Sequence, residues 1–307
     1  MSKVSIIGAG NVGATCAQRI AEHDLADVVL VDKFKNLAEG KALDLSQASS
    51  LEKHSHKIIG TDDFSLIKAS DIVVITAGLP RMPGETRAQL MEKNAAIVKD
   101  AAIRVKEFAP GCVVIVVTNP LDSMSYLTYK LTGFDRKKVL GMAGILDTAR
   151  FKYFVSQKTG VSQKDIQAIV LGGHADTMVP LPRLCEVSGR PLEKFLTKAE
   201  IDEVIESTKN GGAQIVLLLK MGSAFYAPAS SVKCMVEAIL KDAKAVLPVS
   251  VYLQGEYGLS GIFCGVPVIL GKSGMEKVVE FELMPDERRA LNASADKIEQ
   301  ELGLLKI

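Results

Sequence analysis

Residues 8–13 read Gly8-Ala9-Gly10-Asn11-Val12-Gly13, directly after the apolar run VSII at residues 4–7. Such a run predicts a strand buried on both faces. Residues 11–22 carry helical spacing, so the glycines lie on a strand-to-helix turn. Gly8 permits the tight turn, Gly10 lets a pyrophosphate approach the main chain, and Gly13 lets helix and strand pack closely. With Ala9, Asn11 and Val12 they form one candidate phosphate-binding turn. The helix start offers free N–H groups to negative charge. Asp32 follows nineteen residues past Gly13, at the end of a second apolar run. A carboxylate there can bond both ribose hydroxyls of NAD and would repel the 2′-phosphate of NADP. A glycine-rich turn in some other strand–helix–strand unit is the competing reading. Strand, helix and acid in register favour the dinucleotide.

Outward from this turn the same alternation continues. Residues 28–31, 72–76 and 113–118 are further continuous runs rich in Val and Ile, and residues 36–47 and 86–108 have helical spacing. Repeated strand–helix–strand order predicts a doubly wound parallel sheet with right-handed crossovers. In residues 86–108, Leu90, Ile97, Ala101, Val105 and Phe108 form one apolar stripe, which Asn94 interrupts. A polar residue there either bonds locally or faces a ligand. The second half differs. Residues 245–254, 262–270 and 278–283 read as strands, and the turn Gly271-Lys272-Ser273-Gly274 predicts an antiparallel hairpin between the last two. Helical patterns cover residues 198–220, 227–241 and 285–302. The architecture therefore changes from α/β to α+β near residue 145.

Composition excludes several classes. Hydrophobic residues make up 48% of the 307, enough for a large core, so general disorder is excluded. Thirty-seven Lys and Arg nearly cancel thirty-six Asp and Glu. Balanced charge gives no reason to expect a nucleic-acid partner. No apolar run approaches the ~20 residues that span a bilayer, so no membrane partner is expected. A strand beginning at Lys3 leaves no room for a signal peptide, and the five cysteines contain no CxxC pair. Both points predict reduced thiols in a cytoplasmic protein.

Three further segments carry candidate chemistry. Residues 79–87 read LPRMPGETR after a strand, so Arg81 and Arg87 lie on a loop at the carboxyl end of the sheet. Ligands of open α/β sheets bind at that end, and a guanidinium fork suits a carboxylate. Val117, Thr118 and Asn119 end another strand; alone, Asn119 reads equally as a helix cap. His174 follows the strand-like run 166–171 and two glycines. A satisfied core histidine is the plain reading of it, but Asp147 could fix its tautomer and stabilise its imidazolium. Asp147 and Arg150 are three apart and share a helix face. His23 lies at a helix end. His54 and His56 lie in a charged stretch and read as solvated, with no further ligand at metal spacing. No GxSxG or P-loop motif is present.

These segments together resemble the NAD-dependent malate dehydrogenases of the lactate-dehydrogenase-like class. The resemblance spans essentially the whole chain: GAGNVG at 8–13, ITAGLPRMPGETR at 75–87, VTNPLD at 117–122, GMAGILDTARF at 141–151, LGGHADTMVP at 171–180 and GSAFYAPASS at 222–231. It implies a Rossmann doubly wound parallel sheet that binds NAD, residues 1–144, followed by a catalytic α+β domain with antiparallel strands, residues 145–307. It implies that residues 8–13, Asp32, Asn94 and residues 117–119 hold the cofactor. His174 would be the proton acceptor and donor, supported by Asp147. Arg150 would clamp the carboxylate beside the reacting carbon, and Arg87 would polarise the reacting oxygen. Asn119 would also contact substrate, and Arg81 would bind a second carboxylate. Lactate dehydrogenases of this superfamily carry Gln in place of Arg81. A desolvated guanidinium needs an anion, which implies malate and oxaloacetate. A soluble homodimer or homotetramer with a place in the tricarboxylic acid cycle, and no metal, are also implied. Two positions depart from the usual pattern: Ala175 stands where the family has Gly, and Glu85 where many relatives have an apolar residue. The rival readings are a lactate or other 2-hydroxy-acid dehydrogenase and a non-catalytic NAD(H)-binding redox sensor.

Overall fold

The first strand, β1 (Lys3–Ile7), runs into the helix α1 (Asn11–Glu22) through the glycine turn. The protein is described here from a computed structural model, covering residues 2–80, 86–220 and 222–305, with the side chain of Arg87 also outside the described part. β2 (Asp27–Val31), α2 (Lys35–Glu52), β3 (Ile58–Thr61) and β4 (Ile72–Ile75) follow. Next come α3 (Arg87–Phe108), β5 (Val113–Val116), α4 (Leu121–Thr132), β6 (Val139–Gly141) and α5 (Gly144–Thr159). Five two-residue strands come after these: β7 (Ile166–Gln167), β8 (Val170–Leu171), β9 (Val179–Pro180), β10 (Glu186–Val187) and β11 (Arg190–Pro191). The chain ends with α6 (Lys198–Leu219), α7 (Tyr226–Leu240), β12 (Ala245–Gln254), β13 (Ser260–Gly271), β14 (Gly274–Val278) and α8 (Pro285–Leu302).

Six strands pair in parallel in the order β3-β2-β1-β4-β5-β6. The strand order reverses between β1 and β4, and a ligand crevice opens at the carboxyl ends there. Alternate residues explain the unbroken apolar runs. Val4, Ile6, Leu30 and Val74 face a core shared with Cys16 and Ile20 of α1 and Val232 and Val236 of α7. Ile7, Val31, Ile75 and Val116 face a second core with Val98, Ala101 and Val105 of α3. Burying a side chain such as Ile20, fully enclosed, contributes about 1.5–3 kcal/mol.

The antiparallel strands extend the same sheet. β12 pairs with β6 at Ser250 and Gly141, and β13 and β14 follow outward. The hairpin forms at Lys272 and Ser273, between paired Gly271 and Gly274, but its last strand covers 274–278 and not 278–283. The ladder stops beyond Val268↔Val278 because the next residue on β13, Pro267, has no N–H to donate. The run at 166–171 also divides: β7 joins β10 and β11, while β8 pairs with β9. A third core, with Phe151, Val155, Met178, Leu192 and Val204, lies beneath these short strands.

Two histidines differ from expectation. His54 is buried. His56 is largely buried too, its Nε2 3.0 Å from Asp24 and its Nδ1 3.3 Å from Asp27. The charged stretch folds back on β2, so proximity in space and not local polarity sets their exposure.

Candidate active site

The turn after β1 is held by its neighbours. Gly8 has φ +109°, and a Cβ on it would lie 2.6 Å from the backbone nitrogen of Ala77. A Cβ on Gly13 would meet the Gly8 carbonyl oxygen at 1.8 Å. Gly10 has open space in front of it. Thr76 Oγ1 donates to the Gly8 carbonyl at 3.0 Å, and Lys41 Nζ donates to the Ala9 carbonyl at 2.8 Å. No acidic residue occupies the first turn of α1, so the helix itself sets no carboxylate against an anion there. Asp32 stands beside the turn and accepts from Ala9 N at 2.7 Å and from Phe34 N at 2.9 Å. Its carboxylate has further lone pairs for a ribose.

Asn94 lies in the buried stripe of α3 and is 1% exposed. Its Oδ1 accepts from Leu79 N at 2.8 Å, and its Nδ2 donates to Leu79 O at 3.2 Å and Asn119 O at 2.7 Å. The polar break in the stripe is therefore a staple between the segments leaving β4 and β5. Thr118 Oγ1 adds a bond to Ala77 O at 2.7 Å. Thr86 caps α3: it accepts from Gln89 N at 3.2 Å, and its own N–H donates to Gln89 Oε1 at 2.9 Å, which makes Arg87 the first helical residue. Arg81 and Glu85 lie outside the described residues.

A cleft of about 610 Å³ runs from Gly10–Gly13 past Asn94 and Val117–Asn119 to Arg150 and His174. Asp32 is not among its lining residues. At the far end His174 Nδ1 lies 2.9 Å from Asp147 Oδ2. Arg150 Nη1 lies 3.4 Å from Asp147 Oδ1. Burial pulls the His174 pKa down, but the charge and hydrogen bond of Asp147 outweigh it, and the imidazole titrates above its ordinary value. Arg150 Nε is buried with no partner among the described residues. A half-buried guanidinium with a free donor beside a cleft suits an anion.

The loop carrying His174 is clamped on three sides. Gly172, with φ +87°, exchanges backbone bonds of 2.9 and 3.1 Å with Gly265 of β13. Gly173 N donates to Ser294 Oγ of α8 at 2.9 Å, and His174 N donates to Asp122 Oδ2 of α4 at 2.9 Å. Ala175 is not among the non-glycine residues with positive φ, so its side chain adds no backbone strain.

Sequence reasoning missed several participants. Gly212 of α6 lines the cleft, and a Cβ on it would approach Arg150 Nη2 to 3.3 Å. The signal was available, since two glycines in the middle of a helix oppose its propensity and need a reason. Met142, Leu146, Val216 and residues 222–225 also line the cleft. Nothing in the sequence pointed to Ser250, whose hydroxyl meets Asp122 Oδ1 at 2.6 Å. Among the described residues no cluster of three or more His, Cys, Asp or Glu is placed to hold a metal ion, and no helix is long and apolar enough to cross a membrane.

Residues 2–141 match the lactate/malate dehydrogenase NAD binding domain, and residues 145–305 match the lactate/malate dehydrogenase alpha/beta C-terminal domain. The chain belongs to the lactate/malate dehydrogenase family. Within this family it is 48% identical over 307 residues to malate dehydrogenase 1 of Anaeromyxobacter dehalogenans, covering 99% of this chain and 98% of that one. The malate dehydrogenase of Cryptosporidium parvum superposes with a TM-score of 0.96 at 43% identity over 99% of each chain. The lactate dehydrogenase of the same organism, solved with lactic acid and NAD, also gives 0.96, at 39% identity over 99% of this chain and 97% of that one. Backbone shape therefore does not separate the two activities in this family.

Proposed function

We propose that the chain is an NAD-dependent malate dehydrogenase that interconverts (S)-malate and oxaloacetate. The observation that carries this reading is the His174–Asp147 pair at 2.9 Å, beside Arg150 and at the end of the glycine-turn cleft. The fit to NAD rests on the open space before Gly10, the close packing at Gly8 and Gly13, and a first turn of α1 without acidic residues. Gly8 through Gly13, Asp32, Asn94 and Val117–Asn119 would hold it. Bound there, NAD would supply the hydride acceptor for malate oxidation, and NADH the donor for the reverse reaction.

The chain's own groups do the rest. A carboxylate only accepts, so Asp147 keeps the proton on Nδ1 of His174 and leaves Nε2 to take the hydroxyl proton in oxidation. In reduction the imidazolium gives that proton back. The raised pKa of His174 keeps the acid form available near neutrality. Arg150 clamps the carboxylate beside the reacting carbon, while Arg87 and Asn119 orient and polarise the reacting oxygen. Arg81 pairs with the second carboxylate, which selects a dicarboxylate over pyruvate. Two domains, 1–144 and 145–307, divide these tasks.

The test is NADH oxidation with oxaloacetate against pyruvate. A higher kcat/KM for oxaloacetate is expected; preference for pyruvate would make the chain a lactate dehydrogenase. NADH binding without turnover of either would leave only a redox sensor. A homodimer or homotetramer is supported by the apolar side chains left outside, such as Leu51 of α2 at 79% and Leu217 and Leu218 of α6 at 78% and 80% exposure. Light scattering on the purified protein reads this directly. A cytoplasmic place in the tricarboxylic acid cycle completes the reading.

A further inference from the structure

Asp122 closes the VTNPLD stretch at the first turn of α4, and neither the fold nor the mechanism above requires its charge. It is buried, with Oδ2 accepting from His174 N at 2.9 Å and Oδ1 accepting from Ser250 Oγ at 2.6 Å. A neutral acceptor would satisfy the same two donors without the cost of enclosing a charge. We propose that Asp122 is a positioning residue of the acid–base unit: its carboxylate fixes the main chain of His174, and its negative charge, held by Ser250, joins that of Asp147 in favouring the imidazolium.

This inference rests on the reading of His174 as the proton carrier. The groups that surround Asp122 come from several elements. His174 lies on the loop after β8, Ser250 on β12 and Cys264 on β13, with Lys297 and Glu301 of α8 on the same cavity of about 190 Å³. Leu90 is the lining residue from α3. Burial pushes the Asp122 carboxyl up to about 6, against the hydrogen bonds from Ser250 and His174 and the attraction of the imidazole, while Glu301 pushes the same way as burial. Burial pushes the Cys264 thiol far up, so it stays neutral. Around His174, burial and Arg150 act against protonation, and Asp147 and then Asp122 act for it. Asp122 thus acts on the imidazole in the same direction as Asp147.

The decisive variant is Asp122→Asn, which keeps an acceptor for His174 N–H and a polar partner for Ser250 but removes the charge. The imidazole of His174 is titrated by NMR, its signals assigned by their loss in His174→Asn. Its pKa is expected to fall by roughly half a unit in Asp122→Asn. The alkaline limb of kcat/KM for oxaloacetate reduction should move down by the same amount. Asp122→Ala, which also frees the His174 main chain, should lose more than tenfold further in kcat, and Asn should recover it. An unchanged titration in Asp122→Asn, or equal behaviour of Asn and Ala, would overturn the proposal. If Asp122→Asn does not fold, Ser250→Ala decides. It leaves Oδ1 without a donor, disfavours the carboxylate and must lower the His174 pKa; no change refutes the idea. The titration reads the effect of Asp122 on His174 without any turnover. Wild-type protein unable to turn over malate would therefore overturn the functional reading, while a shifted His174 would still support this one.

Discussion

His174 Nδ1 and Asp147 Oδ2 stand 2.9 Å apart although 27 residues separate them in the chain. The pair holds one tautomer and favours the protonated ring, and this sets a first prediction. His174→Asn should lose about 10²–10⁴-fold in kcat while NADH still binds, as read by its fluorescence. Asp147→Asn should lose turnover too and shift the pH profile. Reduction needs the imidazolium, so in the wild type kcat/KM for oxaloacetate should fall as pH rises through the raised His174 pKa, and oxidation should rise. Stability follows the same sign. The pair contributes fully below the ordinary histidine pKa of about 6.5, and the contribution is lost as pH rises through the raised value. Thermal midpoints of wild type and Asp147→Asn should therefore differ most in mild acid; a gap that widens in alkali would contradict the pairing.

Asn94 predicts a defect in stability and cofactor binding together. Asn94→Leu keeps the branched shape but leaves Leu79 N, Leu79 O and Asn119 O without their partner. Each lost hydrogen bond costs about 0.5–1.5 kcal/mol. Differential scanning calorimetry should show a clear fall in Tm, with weaker NADH binding in titration. Normal cofactor affinity would mean that the staple does not shape the cleft.

Gly212 predicts opposite changes in stability and affinity. Ala favours the interior of α6 by roughly 1 kcal/mol. Its Cβ would crowd Arg150, already tied to Asp147, at 3.3 Å. Gly212→Ala should raise Tm slightly and raise KM for oxaloacetate several-fold, with the KM for NADH little changed. A Tm gain with unaltered KM would show that the guanidinium yields freely.

Arg81 predicts specificity. On the proposed role of Arg81, Arg81→Gln removes the counter-charge of the second carboxylate, so kcat/KM for oxaloacetate should drop roughly 10²-fold while that for pyruvate rises. Paired steady-state assays measure the ratio, and a ratio equal to wild type would remove Arg81 as the selector.

Much of the fold is legible in the sequence. The glycine turn, the flanking strands and α1 follow from local pattern, because a buried parallel strand must be apolar on both faces. β14 was displaced from its expected position because Pro267 lies on the partner strand, where strand propensity cannot register it. His54 and His56 looked solvated because local polarity does not report a fold-back onto β2. Asn94 could be flagged as an anomaly, but its bonds to Leu79 and Asn119 depend on where two other strands end.

Sequence by itself determined the doubly wound half, the phosphate-binding turn and the identity of the candidate acid–base and anion-binding side chains. The first two rest on periodicity and on glycines at fixed offsets, which are local properties; the side chains rest on motifs shared with the family. Only the tertiary structure decided that β12 continues the sheet at β6, that Asp147 meets His174, and that Gly212 makes room beside Arg150. It alone also set Asp122 and Ser250 beneath the His174 main chain. Those contacts join residues far apart in the chain, and their geometry exists only once the three cores have packed and set α4, α5, α6 and β12 beside one another.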